Sequence, residues 1–109
     1  MSHTVTIKLK STGEVLAHSS DPEKLIRLED NWYFHPDEVN RTELETSDRT
    51  YTCPHKGICF WVDLKLKHSY INDIAWVYPE TLPKYKHISG WYGFYPKHKH
   101  YNCESVIKT

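Results

Sequence analysis

The run Thr52-Cys53-Pro54-His55-Lys56-Gly57 brings a thiol, an imidazole and an amine into four consecutive or near-consecutive positions. A cation beside a thiol favours the thiolate, which is the nucleophilic form. Gly57 allows positive φ or a close backbone approach to a ligand. Two readings of the run stand side by side. One is a tight turn with a buried structural Cys53 and a solvated Lys56. The other is a ligand-contacting loop in which Cys53 is also a candidate catalytic nucleophile or redox thiol. Cys53, His55 and Cys59 raise zinc as well, with His98, His100 and Cys103 as further donors from the tail. Their spacing is not the paired Cys-x-x-Cys of a structural zinc site, and no second knuckle follows. No metal and no cofactor is therefore expected.

Aromatic residues supply the second constellation. They make up 14% of the chain and gather at Trp32 to Phe34, Phe60-Trp61, Trp76 with Tyr78, and Trp91 to Tyr95. Strand alternation sends neighbours to opposite faces, so one set builds a core and the other is left on a second face. That second set is either stray surface rings or the lining of a pocket for a planar or sugar-like ligand. In the pocket reading Tyr33, Trp61, Trp76 and Tyr78 line a space between two sheets. Cys53, Lys56 and Gly57 form its rim, and Lys56 meets an anionic or carbonyl group of an unidentified small molecule.

The elements that must hold these residues are short strands. Val5, Ile7 and Leu9 alternate with Thr4, Thr6, Lys8 and Lys10, and Ser11-Thr12-Gly13 turns the chain toward a second arm from Glu14 to Ala17. Ser20-Asp21-Pro22-Glu23 carries helix-start chemistry, followed by either a helix of one or two turns or a strand from Leu25 to Glu29. Trp32-Tyr33-Phe34 reads as a strand, Pro36 to Val39 as one helical turn, and Thr42 to Thr46 as an exposed strand. Ser47-Asp48-Arg49 reads as a turn. Ile58 to Leu64 is the clearest strand, with Ile58, Phe60, Val62 and Leu64 on one face and Cys59, Trp61 and Asp63 on the other. A loop through Asn72-Asp73 precedes a strand from Ile74 to Tyr78, Pro79 and Pro83 bracket a turn, and Lys84 to His87 forms a helical turn. Trp91 to Tyr95 is the last strand, with a looser tail beyond it. The pattern is an all-β fold with one or two short helical turns.

Length and charge bound the rest. A chain of 109 residues makes one domain, 1–109, with a core over 5–96 and a tail over 97–109. Net charge is zero, which argues against nucleic acid as a partner. It is unevenly spread, acidic from Asp21 to Asp48 and basic from Lys84 onward, where Lys97-His98-Lys99-His100 stands out. No apolar run reaches the ~18 residues of a membrane span, and the amino terminus lacks a signal pattern. The expectation is a cytoplasmic monomer with no membrane partner. Three cysteines do not make a closed disulfide framework, so free thiols are expected.

Tyr33-Phe34-His35-Pro36, Thr50-Tyr51-Thr52-Cys53-Pro54-His55-Lys56-Gly57, Phe60-Trp61, Ala75-Trp76-Val77-Tyr78-Pro79 and Gly93-Phe94-Tyr95-Pro96 follow one another in an order that resembles the family catalogued as domain of unknown function 427, in its compact, single-domain cyanobacterial form. The resemblance runs from Val5 to Pro96. It implies a β-tent-like fold, two antiparallel sheets leaning together with little helix, and no particular reaction. The motif positions it carries are Tyr33, Pro36, Cys53, Pro54, Lys56, Gly57, Trp61, Trp76, Tyr78, Phe94 and Tyr95. The family has also carried a nucleotidyltransferase label, which calls for a Gly-Ser loop and Asp-x-Asp carboxylates that this chain lacks. Three functions remain: a small-molecule-binding domain, a small enzyme using Cys53, or a protein-interaction module built on strand edges and aromatic patches.

Overall fold

The computed structural model describes residues 4–95 and 103–108. Nine strands follow in order: β1 (Thr4–Leu9), β2 (Val15–Ser19), β3 (Leu25–Leu28), β4 (Asn31–Phe34), β5 (Leu44–Cys53), β6 (Gly57–Lys65), β7 (Tyr70–Val77), β8 (Tyr92–Phe94) and β9 (Cys103–Lys108). Two short 3-10 helices, Pro36–Glu38 and Pro83–Ile88, are the helices of the described residues. The strands form two antiparallel sheets, a small one in the order β2-β1-β9 and a large one in the order β3-β4-β8-β7-β6-β5. The fold is therefore all-β with two sheets and only short helical turns. No helix among the described residues is long and apolar enough to cross a membrane.

Period-2 alternation builds the core between the sheets. Val5, Ile7 and Leu9 of β1 and Leu16 and Ala17 of β2 are buried against Trp32 and Phe34 of β4, Val62 and Leu64 of β6, Ala75 and Val77 of β7, and Phe94 of β8. Phe34 and Phe94 meet edge to face at 5.6 Å, the geometry that ring quadrupoles favour. The intervening residues, Tyr33, Cys59, Trp61, Trp76 and Tyr95, belong to a second apolar cluster on the opposite face of the large sheet. The 3-10 helix Pro83–Ile88 covers part of that outer face through Ile88 and Tyr85. Thus the large sheet is apolar on both sides, and only its inner side meets the small sheet.

Several local expectations give way to pairing. Leu25–Leu28 is a strand, because it pairs with β4 from Leu25↔Phe34 to Leu28↔Asn31. The capping chemistry before it makes a turn, with Asp21 accepting from the Glu23 amide at 2.9 Å. Ser47-Asp48-Arg49 is no turn but a bulge inside the ten-residue β5. Ser47 holds it by donating to the Trp61 carbonyl at 2.7 Å and accepting from the Arg49 amide at 3.1 Å. Asn72-Asp73 likewise lies within β7, which begins at Tyr70 and bulges opposite Val62 and Leu64. Finally, Cys103–Lys108 is not loose tail. It pairs with the whole of β1, from Thr4↔Lys108 to Leu9↔Cys103. The basic stretch Lys97 to His100 lies outside the described residues.

Candidate functional site

Cys53 ends β5 and pairs with Gly57 at the start of β6, so Pro54-His55-Lys56 is a three-residue hairpin loop. Such loops close with a residue at positive φ, and Gly57 supplies it at φ +114°. A Cβ there would also press on the Glu80 carbonyl at 3.3 Å. The loop is tied to the chain before the second 3-10 helix, where the Leu82 amide donates to the Lys56 carbonyl at 2.8 Å. This anchoring turns Lys56 inward, and only 4% of it is exposed.

A buried ammonium needs a partner. Lys56 finds the carboxylate of Glu29, 27 residues earlier in the β3–β4 turn. Glu29 and Asp30 sit at φ +52° and +68°, the left-handed pair that closes a two-residue hairpin and is normally filled by Asn and Gly. Two acidic residues hold it here at a steric cost, and one of them supplies the counter-ion. Lys56 Nζ also lies 3.9 Å from Cys53 Sγ and 5.2 Å from the Tyr85 ring centroid. Burial opposes ionisation of Cys53, but the His55 and Lys56 amides and the Lys56 ammonium outweigh it, and the thiol is more acidic than usual. Burial works against the Lys56 charge as well, yet Glu29 and Cys53 hold its pKa above the ordinary value. Cys59 runs the other way: burial raises its pKa although the Tyr78 hydroxyl works in the opposite direction.

These groups line a cavity of about 350 Å³ on the outer face of the large sheet, bounded by Glu29, Asn31, Tyr33, Tyr51, Cys53, Lys56, Cys59, Trp61, Trp76, Tyr78 and Tyr95. Trp76 is its centre. Its indole N–H donates to the Tyr33 hydroxyl at 3.1 Å. Its ring meets those of Tyr33, Trp61 and Tyr95 edge to face, at 6.1, 6.0 and 4.9 Å between centroids. Burial raises the pKa of both Tyr33 and Tyr78, so their hydroxyls stay protonated and can donate.

The sequence-derived residues Tyr33, Cys53, Lys56, Trp61, Trp76 and Tyr78 converge here. Gly57 does not line this cavity; it borders a separate apolar depression with Ile58, Phe60 and Leu82. The expected position between the sheets is also corrected, because that interface is filled by the core and the cavity lies on the other face. Sequence reasoning missed Glu29, Asn31, Tyr51, Cys59 and Tyr95 as lining residues. Period-2 alternation could have added Tyr51 and Cys59, but nothing local ties Glu29 to Lys56. Cys53 and Cys59 are free thiols, and no group of three His, Cys, Asp or Glu side chains among the described residues is arranged to hold a metal.

Beside the cavity wall, and following Cys59 and Trp61 in the alternation, Asp63 is fully buried. It accepts from Arg49 at 2.5 Å, Tyr70 at 3.0 Å and the Asp73 amide at 2.9 Å. Arg49 also bonds Asp73 at 2.7 Å. This network joins the β5 bulge to the β7 bulge across β6, and so holds the strands that carry Trp61 and Trp76.

No curated protein resembles the chain closely enough to count as a match. The family model described as Domain of unknown function (DUF427) matches residues 1–105, nearly all of the 109 residues, and the chain belongs to that family.

Proposed function

We propose that this domain binds a small, planar, conjugated molecule carrying a carbonyl or carboxylate, in the cavity on the outer face of the large sheet. The observation that carries this reading is the buried Lys56 with a counter-ion, Glu29, whose side chain is 53% exposed. Glu29 sits on a two-residue turn and can yield its place to a ligand oxygen. The ammonium would then pass from one oxygen partner to another without being left unpaired. Trp61, Trp76 and Tyr95 offer apolar ring surface for the flat body of the ligand, and the Tyr33 and Tyr78 hydroxyls offer polar contacts that orient it.

A thermal-shift screen of aromatic carboxylates and conjugated ketones tests this. A ligand held in the cavity raises the melting temperature with concentration, by mass action. Lys56→Ala and Tyr78→Phe should each reduce that rise. A screen whose hits stabilise wild type and Lys56→Ala equally would sink the assignment to this cavity.

A further inference from the structure

We infer that Cys53 is a nucleophile that adds covalently and reversibly to α,β-unsaturated carbonyl compounds held in the cavity, with Lys56 beside the carbonyl oxygen. This rests on the binding reading above and names the substrate class of the same site. Four features converge on one sulfur. Cys53 lines the cavity. The neighbouring His55 and Lys56 amides favour its anion and hold the thiol pKa below the ordinary value. The Lys56 ammonium stands 3.9 Å away as counter-ion. Glu29, more than half exposed, links that ammonium to solvent.

Besides Tyr51 of β5 and Tyr85 of the second 3-10 helix, five charged or titratable groups surround the sulfur. They are Lys56 on its own loop, Glu29 on the β3–β4 turn, Tyr33 on β4, Cys59 on β6 and Tyr78 after β7. Lys56 is the one cation among them. Tyr33, Tyr78 and Cys59 are held protonated by burial, so they add no negative charge against a thiolate at neutral pH.

A redox pair with Cys59 is the rival, and pairing geometry argues against it. Cys53 is in register with Gly57, and Cys59 with Tyr51. The two cysteines are therefore diagonal neighbours, about 7–8 Å apart in an antiparallel pair. A disulfide needs Cα atoms within about 6.8 Å, so a bridge would require the backbone to move. A single thiolate acting on carbon requires no such movement.

The step balances without an oxidant. The Cys53 thiol loses its proton to solvent, and the thiolate lone pair forms a bond to the β-carbon. The C=C π pair shifts to make an enolate, whose oxygen lies toward Lys56. The ammonium gives a proton to the enolate oxygen, and the enol exchanges that proton with solvent for one on its α-carbon. Lys56 recovers a proton from water along Glu29. The net change is addition of S–H across the double bond. The reverse path expels the same thiolate. The flat aryl enone skeleton suits the faces of Trp61 and Tyr95, and its carbonyl suits the ammonium.

Two measurements on the full chain test this. Benzylideneacetone, a planar aryl enone, is incubated with wild type, Cys53→Ser and Lys56→Met, and adducts are located by peptide mass spectrometry. Iodoacetamide alkylation of Cys53 is followed against pH, with Cys59 in the same molecule as the internal comparison. The expected result is an adduct at Cys53 and not at Cys59, formed with saturable kinetics. Lys56→Met should slow it about tenfold or more. Alkylation of Cys53 should reach half its maximum below the pH near 8.5 of a free cysteine, and Lys56→Met should move that midpoint upward. Equal labelling of Cys53 and Cys59, or a Cys53 midpoint at or above that of free cysteine, would overturn the inference. If the enone stabilises Cys53→Ser thermally while wild type forms no adduct, the nucleophile falls and the binding reading stands. If Cys53 is labelled without saturation and no enone stabilises any variant, both fall.

Discussion

The Trp76 indole occupies the space where any side chain at Gly93 would go: a Cβ on Gly93 would lie 2.4 Å from its ring atoms. Gly93 pairs with Trp76 on one side and Tyr33 on the other, so the three residues form one row across β7, β8 and β4. The missing side chain lets the indole lie over β8 and reach the Tyr33 hydroxyl. Gly93→Ala should destabilise the fold by about 1–3 kcal/mol, the usual cost of overpacking. It should also shift tryptophan fluorescence as Trp76 is displaced. An alanine variant with unchanged fluorescence and unchanged stability would refute this account of the cavity's centre.

The Lys56–Glu29 pair should respond asymmetrically. Replacing Lys56 by Met removes a buried charge and leaves an apolar stem of similar size, so stability should change by less than about 1 kcal/mol. Glu29→Gln instead leaves the buried ammonium without its carboxylate. Because Glu29 is half exposed and water screens the pair, the loss should be about 1 kcal/mol rather than the several expected of a fully buried pair. Urea unfolding of both variants measures the difference, and a more costly Lys56→Met reverses the assignment.

Asp30 offers a change in the other direction. At φ +68° it holds a left-handed conformation that glycine adopts freely, and its side chain is almost fully exposed beside Arg27. Asp30→Gly should stabilise the domain by about 0.5–1 kcal/mol. Glu29 and the cavity stay in place, so ligand-induced thermal shifts should be retained.

Asp63 should carry an acid-sensitive share of stability. Burial works against its charge, but the Asp73 amide, Arg49 and Tyr70 more than compensate and hold its pKa below the ordinary value. The stability it contributes is complete above the unfolded carboxyl value near 4 and is lost as pH falls through the lower folded value. Asp63→Asn should cost about 2–3 kcal/mol at pH 7, because charged hydrogen bonds are lost in a buried place. Below about pH 4 the gap between wild type and Asp63→Asn should narrow, as melting curves across pH 2.5–7 would show.

Local chemistry in the chain singled out six of the residues that line the candidate cavity. Alternation at Ile58 to Leu64 assigned the two faces of β6, and the Cys53-to-Gly57 run offered a tight turn with a glycine able to take positive φ. Those features are legible because side-chain direction in a strand and positive φ in a turn are decided within a few residues. The same alternation set Trp61 opposite Phe60 and left one aromatic set on a second face. It could not say whether that face would be buried by a sheet or left open, since that depends on how the second sheet docks.

Only the tertiary structure decided the remainder. Helix-start signals before Leu25 lost to hydrogen bonding with β4, Ser47 to Arg49 became a bulge because β6 runs the length of β5, and Cys103 to Lys108 became a strand because β1 had an edge to fill. Glu29 reached Lys56 through a strained turn 27 residues away, a pairing that no local pattern encodes. Propensity and alternation act over a few residues, whereas strand order, docking face and ion-pair partners depend on contacts far apart in the chain.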